Sequence, residues 1–319
     1  MILLSIVIIL FFVFFQIFYP YFYTFAAWNY SLFFISMLLL FSNIAIYIGL
    51  IVLYLILPDS IKDSFLTFCW NIIKQSQQKL INNVEHNIRE TFPIHILHPI
   101  PEKSIRIWHP HGSGATTIGI HNVFRITVPE LTKTKTVVHY AFTMTPFLLD
   151  MVRFMECISS DYQTIIETLK KDSITIGLGG ADEMGRIVNK KLEFVIKKRK
   201  GIFKIALETG IPIVPVITYG ENEIFPETDN EFLIWFNQQF YNVFRLRLWI
   251  PSLSSVKNWA NLLIKPLDPV HTYTGRPIYV KKIENPTDRH IKSLRKIYIS
   301  RIIELFDETN SGDFSLKIV

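Results

Sequence analysis

The first 58 residues contain no Asp, Glu, Lys, Arg or His, so the whole formal charge of +6 lies beyond Pro58. An uncharged stretch of that length is foreign to an ordinary soluble surface, and its two apolar runs are near the length of about 20 residues that crosses a hydrocarbon core. These runs are Met1 to Phe18 and Leu32 to Leu57. Between them, Tyr19-Pro20-Tyr21-Phe22-Tyr23 and Trp28-Asn29-Tyr30 have the aromatic, turn-prone character of a membrane interface. Residues 1–58 are therefore expected to form a membrane-embedded helical hairpin, as two spans or one re-entrant loop. Met1-Ile2-Leu3-Leu4 also lacks the basic start of a secretory signal peptide. Cysteine is scarce: Cys69 and Cys157 are the only two, too few for a disulfide framework and without the neighbouring ligands of a zinc site. Internal repeats are absent. The net positive charge calls for an anionic partner, and membrane attachment favours lipid headgroups or a phosphorylated cofactor over nucleic acid.

Residues 59–319 suffice for one α/β domain with insertions. The segment from Asp59 to Thr91 reads as a linker carrying a helix along the membrane surface. Ser104-Ile105-Arg106-Ile107-Trp108 alternates as a strand does, and a helix begins near Ala115. Further strands are expected at Thr136 to Phe142, Ser173 to Gly177, Glu193 to Ile196, Pro212 to Thr218 and Tyr273 to Lys282. Helices are expected at Tyr162 to Lys171, at Ile202 to Thr209 with Gly210 as its stop, and from Thr287 onward. The last of these puts Ile291, Leu294, Tyr298, Ile302, Leu305 and Phe306 on one face. Strands alternating with helices, one of them the buried-looking Ile213-Val214-Pro215-Val216-Ile217, predict a mostly parallel central sheet flanked by helices, with ligands beyond the strands' carboxyl ends. Residues 231–264 differ, crowded with aromatics and carrying Arg245 and Arg247. They fit either ordinary core or an interfacial segment.

Four motifs stand in order along this domain: His109-Pro110-His111-Gly112; Gly179-Gly180-Ala181-Asp182-Glu183; Arg199-Lys200-Gly201; and Val214-Pro215-Val216 leading to Gly220-Glu221-Asn222. The first places two imidazoles on a strand-to-helix turn where Gly112 and Gly114 permit positive φ and close approach of a ligand to backbone N–H groups. Together, in this order and spacing, the motifs resemble the type-2 diacylglycerol acyltransferase family, which includes monoacylglycerol and wax-alcohol acyltransferases and belongs to the wider glycerolipid acyltransferase group. The similarity runs from about Phe92 to the terminal helix and is densest from Gly179 to Glu223. Departures exist as well. Thr91-Phe92-Pro93 stands where the family has Tyr-Phe-Pro, the region from Trp249 to Val256 lacks the family's glycine- and arginine-bearing pattern, and no Asp follows His111 within a few residues. Glu183 is the acidic partner the resemblance suggests instead.

The resemblance implies transfer of a fatty acyl group from acyl-CoA to the hydroxyl of diacylglycerol, with monoacylglycerol or a long-chain alcohol as alternative acceptors. It implies residence in the endoplasmic reticulum membrane with the catalytic domain facing the cytosol. An alcohol attacks a thioester poorly until a base takes its proton, and His is the side chain suited to that near neutrality. His111 is assigned as the base, His109 as a residue that holds substrate or orients the ring, and Glu183 as the acceptor that stabilises the imidazolium. Backbone N–H groups at Gly112 and Gly114 are candidates for the oxyanion site. Arg199 and Lys200 suit the phosphates of coenzyme A, although Lys197 to Lys200 equally describes a solvated face. Glu221 and Asn222 either line the cleft or cap a turn. No tightly bound cofactor and no metal is expected; a homo-oligomer is compatible with the sequence. Two other classes remain open: a membrane metallohydrolase using His109, His111 and Glu183, with His121 or His139, as ligands, and a non-catalytic lipid-droplet scaffold.

Overall fold

The structure, a computed structural model, describes residues 82, 84–112, 114–122, 134–143, 152, 155–184, 186 and 190–319. The expected hairpin, residues 1–58, and most of the linker after it lie outside these residues. Among the described residues no helix is long and apolar enough to cross a membrane.

A helix over 84–91 leads into β1 (Ile94–Ile96) and β2 (Ile105–His109). There follow α1 (Thr116–Asn122), β3 (Thr134–Val138), β4 (Ile158–Ser159), α2 (Tyr162–Leu169), β5 (Ser173–Gly177), α3 (Ala181–Met184) and β6 (Lys191–Phe194). The second half contains α4 (Gly201–Thr209), β7 (Ile213–Tyr219), α5 (Glu221–Ile224), α6 (Glu231–Phe244), α7 (Leu253–Leu262), β8 (His271–Thr274), α8 (Asp288–Thr309) and β9 (Ser315–Ile318). Seven strands form one sheet in the order β1-β8-β7-β2-β5-β3-β4, and only the β7–β8 pairing is antiparallel. The mostly parallel sheet expected from the sequence is thus present.

β2 sits between β5 and β7, and all five of its residues are buried. On one face of the sheet Ile105 and Ile107 pack with Ile174, Ile213 and Ile217 against α2, α4 and α8 in the main core. On the other, Trp108 joins Val214, Val216 and Ile118 of α1. A strand covered on both sides needs apolar residues at every position, which is why the Ile-Val-Pro-Val-Ile run of β7 shows no alternation. α8 buries the six apolar residues of its expected face, and Thr287 caps its amino terminus. Gly210, at φ 72°, ends α4 in the left-handed region that a side chain disfavours.

Three elements differ from expectation. The strand around 193–196 is real but pairs with β9 in a separate two-stranded sheet rather than joining the main one. The strand expected to reach Phe142 ends at Val138, where a 3-10 turn over Tyr140–Thr143 is tied by the Tyr140 N–H to Ser160 Oγ and by Thr143 Oγ1 to the Tyr140 carbonyl. The strand expected over 273–282 stops at Thr274, leaving only Ile278 bridged to Ile213.

Candidate active site

The carboxyl ends of β5, β2 and β7 are adjacent, and each continues into one of the motifs: Gly177 toward Glu183, His109 toward Gly114, Tyr219 toward Glu221. Parallel pairing in register, with Trp108 opposite Gly177 and Val216, brings together side chains that are far apart in sequence.

Glu183 is the centre. It is fully buried, and its Oε1 lies 2.8 Å from His109 Nδ1 and accepts the Val195 N–H at 3.0 Å, while Oε2 accepts the His111 N–H at 2.7 Å. A buried carboxylate needs such partners to offset its desolvation. Gly179 leaves the room, since a Cβ there would collide with the Glu183 side chain. Because an ionised carboxylate only accepts, His109 carries its proton on Nδ1. Its ring stacks on Phe194 with centroids 4.7 Å apart and meets Tyr298 of α8 at 6.1 Å. With no exposed surface, His109 is walled into the core.

His111 is placed differently. It is only partly buried, and its Nδ1 lies 3.3 Å from the Gly112 carbonyl, which can only accept; Nε2 is therefore the nitrogen left to take a proton. Burial holds its pKa below the ordinary histidine value, opposed by the nearby charge of Glu183. Gly177 again makes space, a Cβ there standing 2.7 Å from His111 Cδ2.

Glu221 closes the other side. It is buried and accepts the N–H groups of Thr116 at 3.2 Å and Thr117 at 3.1 Å, and the Thr117 hydroxyl at 2.6 Å. Burial pushes its pKa up while these donors, with the Gly114 N–H, pull it down. The carboxylate thereby supplies the cap that the first turn of α1 needs. Gly112, at φ 74°, lies against it so closely that any side chain would overlap the Glu221 carboxylate.

Among the described residues no group of three or more His, Cys, Asp and Glu side chains is arranged to hold a metal ion. His121 lies inside the fold, stacked on Trp108. A groove of about 670 Å³ lined by Lys103, Lys170, Lys282, Glu208 and Glu284 opens at the amino-terminal ends of the strands, away from both histidines.

The sequence profile described as diacylglycerol acyltransferase matches residues 51–316, most of the chain. The chain belongs to the diacylglycerol acyltransferase family. This acyltransferase is 28% identical over 238 residues to 2-acylglycerol O-acyltransferase 1 of Bos taurus, covering 69% of this chain and 70% of the relative. It is 26% identical over 266 residues to diacylglycerol O-acyltransferase 2 of Mus musculus, covering 76% and 68%. With diacylglycerol O-acyltransferase 2 of Xenopus tropicalis the identity is 32% over 143 residues, 43% of this chain and 39% of the relative. A solved structure, the 1-acyl-sn-glycerophosphate acyltransferase PlsC of Thermotoga maritima, aligns with a TM-score of 0.42 at 12% identity over 79% of this chain and 90% of its own.

Within this acyltransferase the motifs converge, but with altered pairings. Glu183 was expected to face the His111 ring; its imidazole partner is His109, and it holds His111 by the backbone. Gly114, nominated for the oxyanion site, directs its N–H at Glu221. Arg199 turns inward, donating from Nη2 to the Gly179 carbonyl and, at 2.9 Å, to Asp182 Oδ2. Lys200 stays exposed, 3.4 Å from Asp288 at the start of α8. Asn222 lies within the first turn of α5, beside Glu221. Three contributors went unassigned in the sequence: Phe194, Tyr298 and Asp182, the last joining Arg199 to Tyr241 of α6. Asp182 had a signal, its place beside Glu183; the two rings looked like ordinary core.

Proposed function

We propose that this protein transfers a fatty acyl group from acyl-CoA to the hydroxyl of diacylglycerol, with His111 as general base. The observation that carries the assignment is the contrast between the two imidazoles: one is walled in and bound to Glu183, the other is only partly buried, with Nδ1 against the Gly112 carbonyl and Nε2 left to take a proton. His111 Nε2 takes the alcohol proton as the oxygen attacks the thioester carbonyl; the tetrahedral intermediate collapses with cleavage of the C–S bond, and the proton passes to the departing thiolate. The imidazolium formed on the way is stabilised by Glu183, whose charge lies beneath the turn. Gly112 is the remaining glycine N–H for the oxyanion, and no covalent enzyme intermediate is required. Lys200, and less directly Arg199, offer charge for the coenzyme A phosphates.

Monoacylglycerol is a second acceptor, favoured by the likeness to 2-acylglycerol O-acyltransferase 1 over 69% of the chain. Expression in cells lacking neutral-lipid synthesis separates them: triacylglycerol from supplied diacylglycerol supports the first reading, and diacylglycerol formed only from monoacylglycerol supports the second. His111→Ala is expected to leave a folded protein whose transfer rate falls by at least about a hundredfold. Near wild-type turnover in that variant would remove His111 from the chemistry.

A further inference from the structure

α6 is inverted relative to a helix of a soluble domain. Among its described side chains the only fully buried one is polar, Asn237, whose amide donates to the Leu248 carbonyl and accepts the Leu248 N–H. Several of its apolar residues face outward: Phe232 is 66% exposed, Trp235 57%, Val243 72% and Ile234 51%, while Leu233, Phe236 and Phe240 are partly covered. Phe232, Trp235 and Val243, with exposed Gln239, fall at i, i+3, i+7 and i+11 as one stripe, Ile234 standing on another face, and the Phe232 and Trp235 rings sit 5.9 Å apart on it. A water-facing helix surface normally carries charges, yet the only charged residue of α6 is Glu231, at its first position. The hydrophobic effect thus opposes leaving this stripe in water.

We propose that the α6 stripe seats in the headgroup interface of a lipid bilayer. The chemistry of the stripe suits that occupant, since aromatic rings and amides settle where hydrocarbon meets headgroup. Two cations follow immediately: Arg245 and Arg247 lie 5.7 and 4.9 Å from the Tyr241 ring, at the end of the helix where anionic phosphates would meet them. The same chain carries 58 uncharged residues ahead of its domain, so a bilayer is the apolar phase its composition anticipates. The seating also bears on the reaction. The Tyr241 hydroxyl donates to Asp182, which is neighbour to Glu183, so α6 is fastened to α3 and sets the site beside the bilayer from which a lipid acceptor would come. That last step rests on the proposed acyltransferase reaction; the seating itself does not.

The test uses the full chain on phosphatidylcholine vesicles with about one lipid in five phosphatidylserine and with brominated acyl chains as quenchers. Among the described residues Trp108, Trp249 and Trp259 are buried and Trp235 is the exposed indole, so the quenching that Trp235→Phe removes is read as a difference from wild type, in which Trp28 and Trp70 contribute equally to both. Wild-type fluorescence is expected to be quenched, and Trp235→Phe to lose a component of that quenching. Phe232→Glu combined with Trp235→Glu is expected to lower transfer to a vesicle-borne acceptor by about tenfold or more while sparing transfer to a monomeric short-chain one. Equal quenching of wild type and Trp235→Phe would overturn the proposal and indicate that a second copy, or another segment of the chain, covers the stripe. Because quenching needs no turnover, an inactive protein that is still quenched through Trp235 keeps the seating and discards the reaction.

Discussion

Glu183 performs two tasks with one carboxylate, orienting a buried imidazole and bracing the backbone of a partly buried one. Its charge raises the His111 pKa against the larger opposing effect of burial. Activity that needs neutral His111 therefore rises with pH through a value below the ordinary 6.5 of histidine. Glu183→Gln removes the raising influence, so the acidic limb of the kcat/KM profile is expected to move to still lower pH, together with a fall in kcat from the loss of imidazolium stabilisation. A limb that moved upward would assign the titration to another group. The pairing with His109 was not legible in the sequence because His109 and His111 differ only in how the turn after β2 directs them. His109 follows Ile105 and Ile107 on the core face of the strand, whereas His111 lies beyond the strand's end.

At the scale of elements, what was legible followed from periodicity. α4 and its Gly210 stop, β5 and the buried face of α8 emerged within a residue or two, because each has its pattern complete within itself. β6 was expected about two residues late, but β9 and its pairing with β6 were not, since a two-stranded pairing between distant segments leaves no local trace. Arg199-Lys200 at the entry to α4 shows the same divide: a basic pair is visible in sequence, the direction of each side chain is not. Arg199 is partly buried and bonded to Asp182 and the Gly179 carbonyl, so Arg199→Ala should loosen the segment that holds Glu183 and lower kcat. Lys200→Ala should raise the KM for acyl-CoA with kcat nearly unchanged, as expected of binding that is equal in ground and transition states. Steady-state kinetics with the donor varied distinguishes the two. An unchanged donor KM in Lys200→Ala would leave that lysine to its ion pair with Asp288.

For the molecule as a whole, a buried histidine and a partly buried glutamate shift stability with pH in opposite directions. His121 has its pKa lowered by burial from 6.5 to about 3, so below 6.5 the unfolded chain binds a proton that the folded one refuses. Its contribution to stability is complete above 6.5 and is lost as pH falls. Glu227 runs the other way: burial raises its pKa from 4.5 to about 7, so its contribution is complete below 4.5 and is lost as pH rises through about 7. Between 4.5 and 6.5 the two slopes oppose, each at most about 1.4 kcal/mol per pH unit. Thermal unfolding in detergent across that range should therefore change sign between variants: His121→Gln should gain stability on acidification relative to wild type, and Glu227→Gln should lose it. Parallel curves would mean that neither group stays buried in its stated form. The strand order carries a consequence of another kind. β2 lies at the middle of the sheet, yet both of its neighbours, β5 and β7, are made after it, and Glu183 is 74 positions downstream of its partner His109. At the usual rate of roughly 5–20 residues per second, a ribosome takes several seconds to supply that carboxylate, and longer for Glu221 and for Tyr298 of α8. During synthesis the histidine strand thus waits with both hydrogen-bonding edges open, and the paired site cannot assemble until β5, β7 and Glu183 have been made.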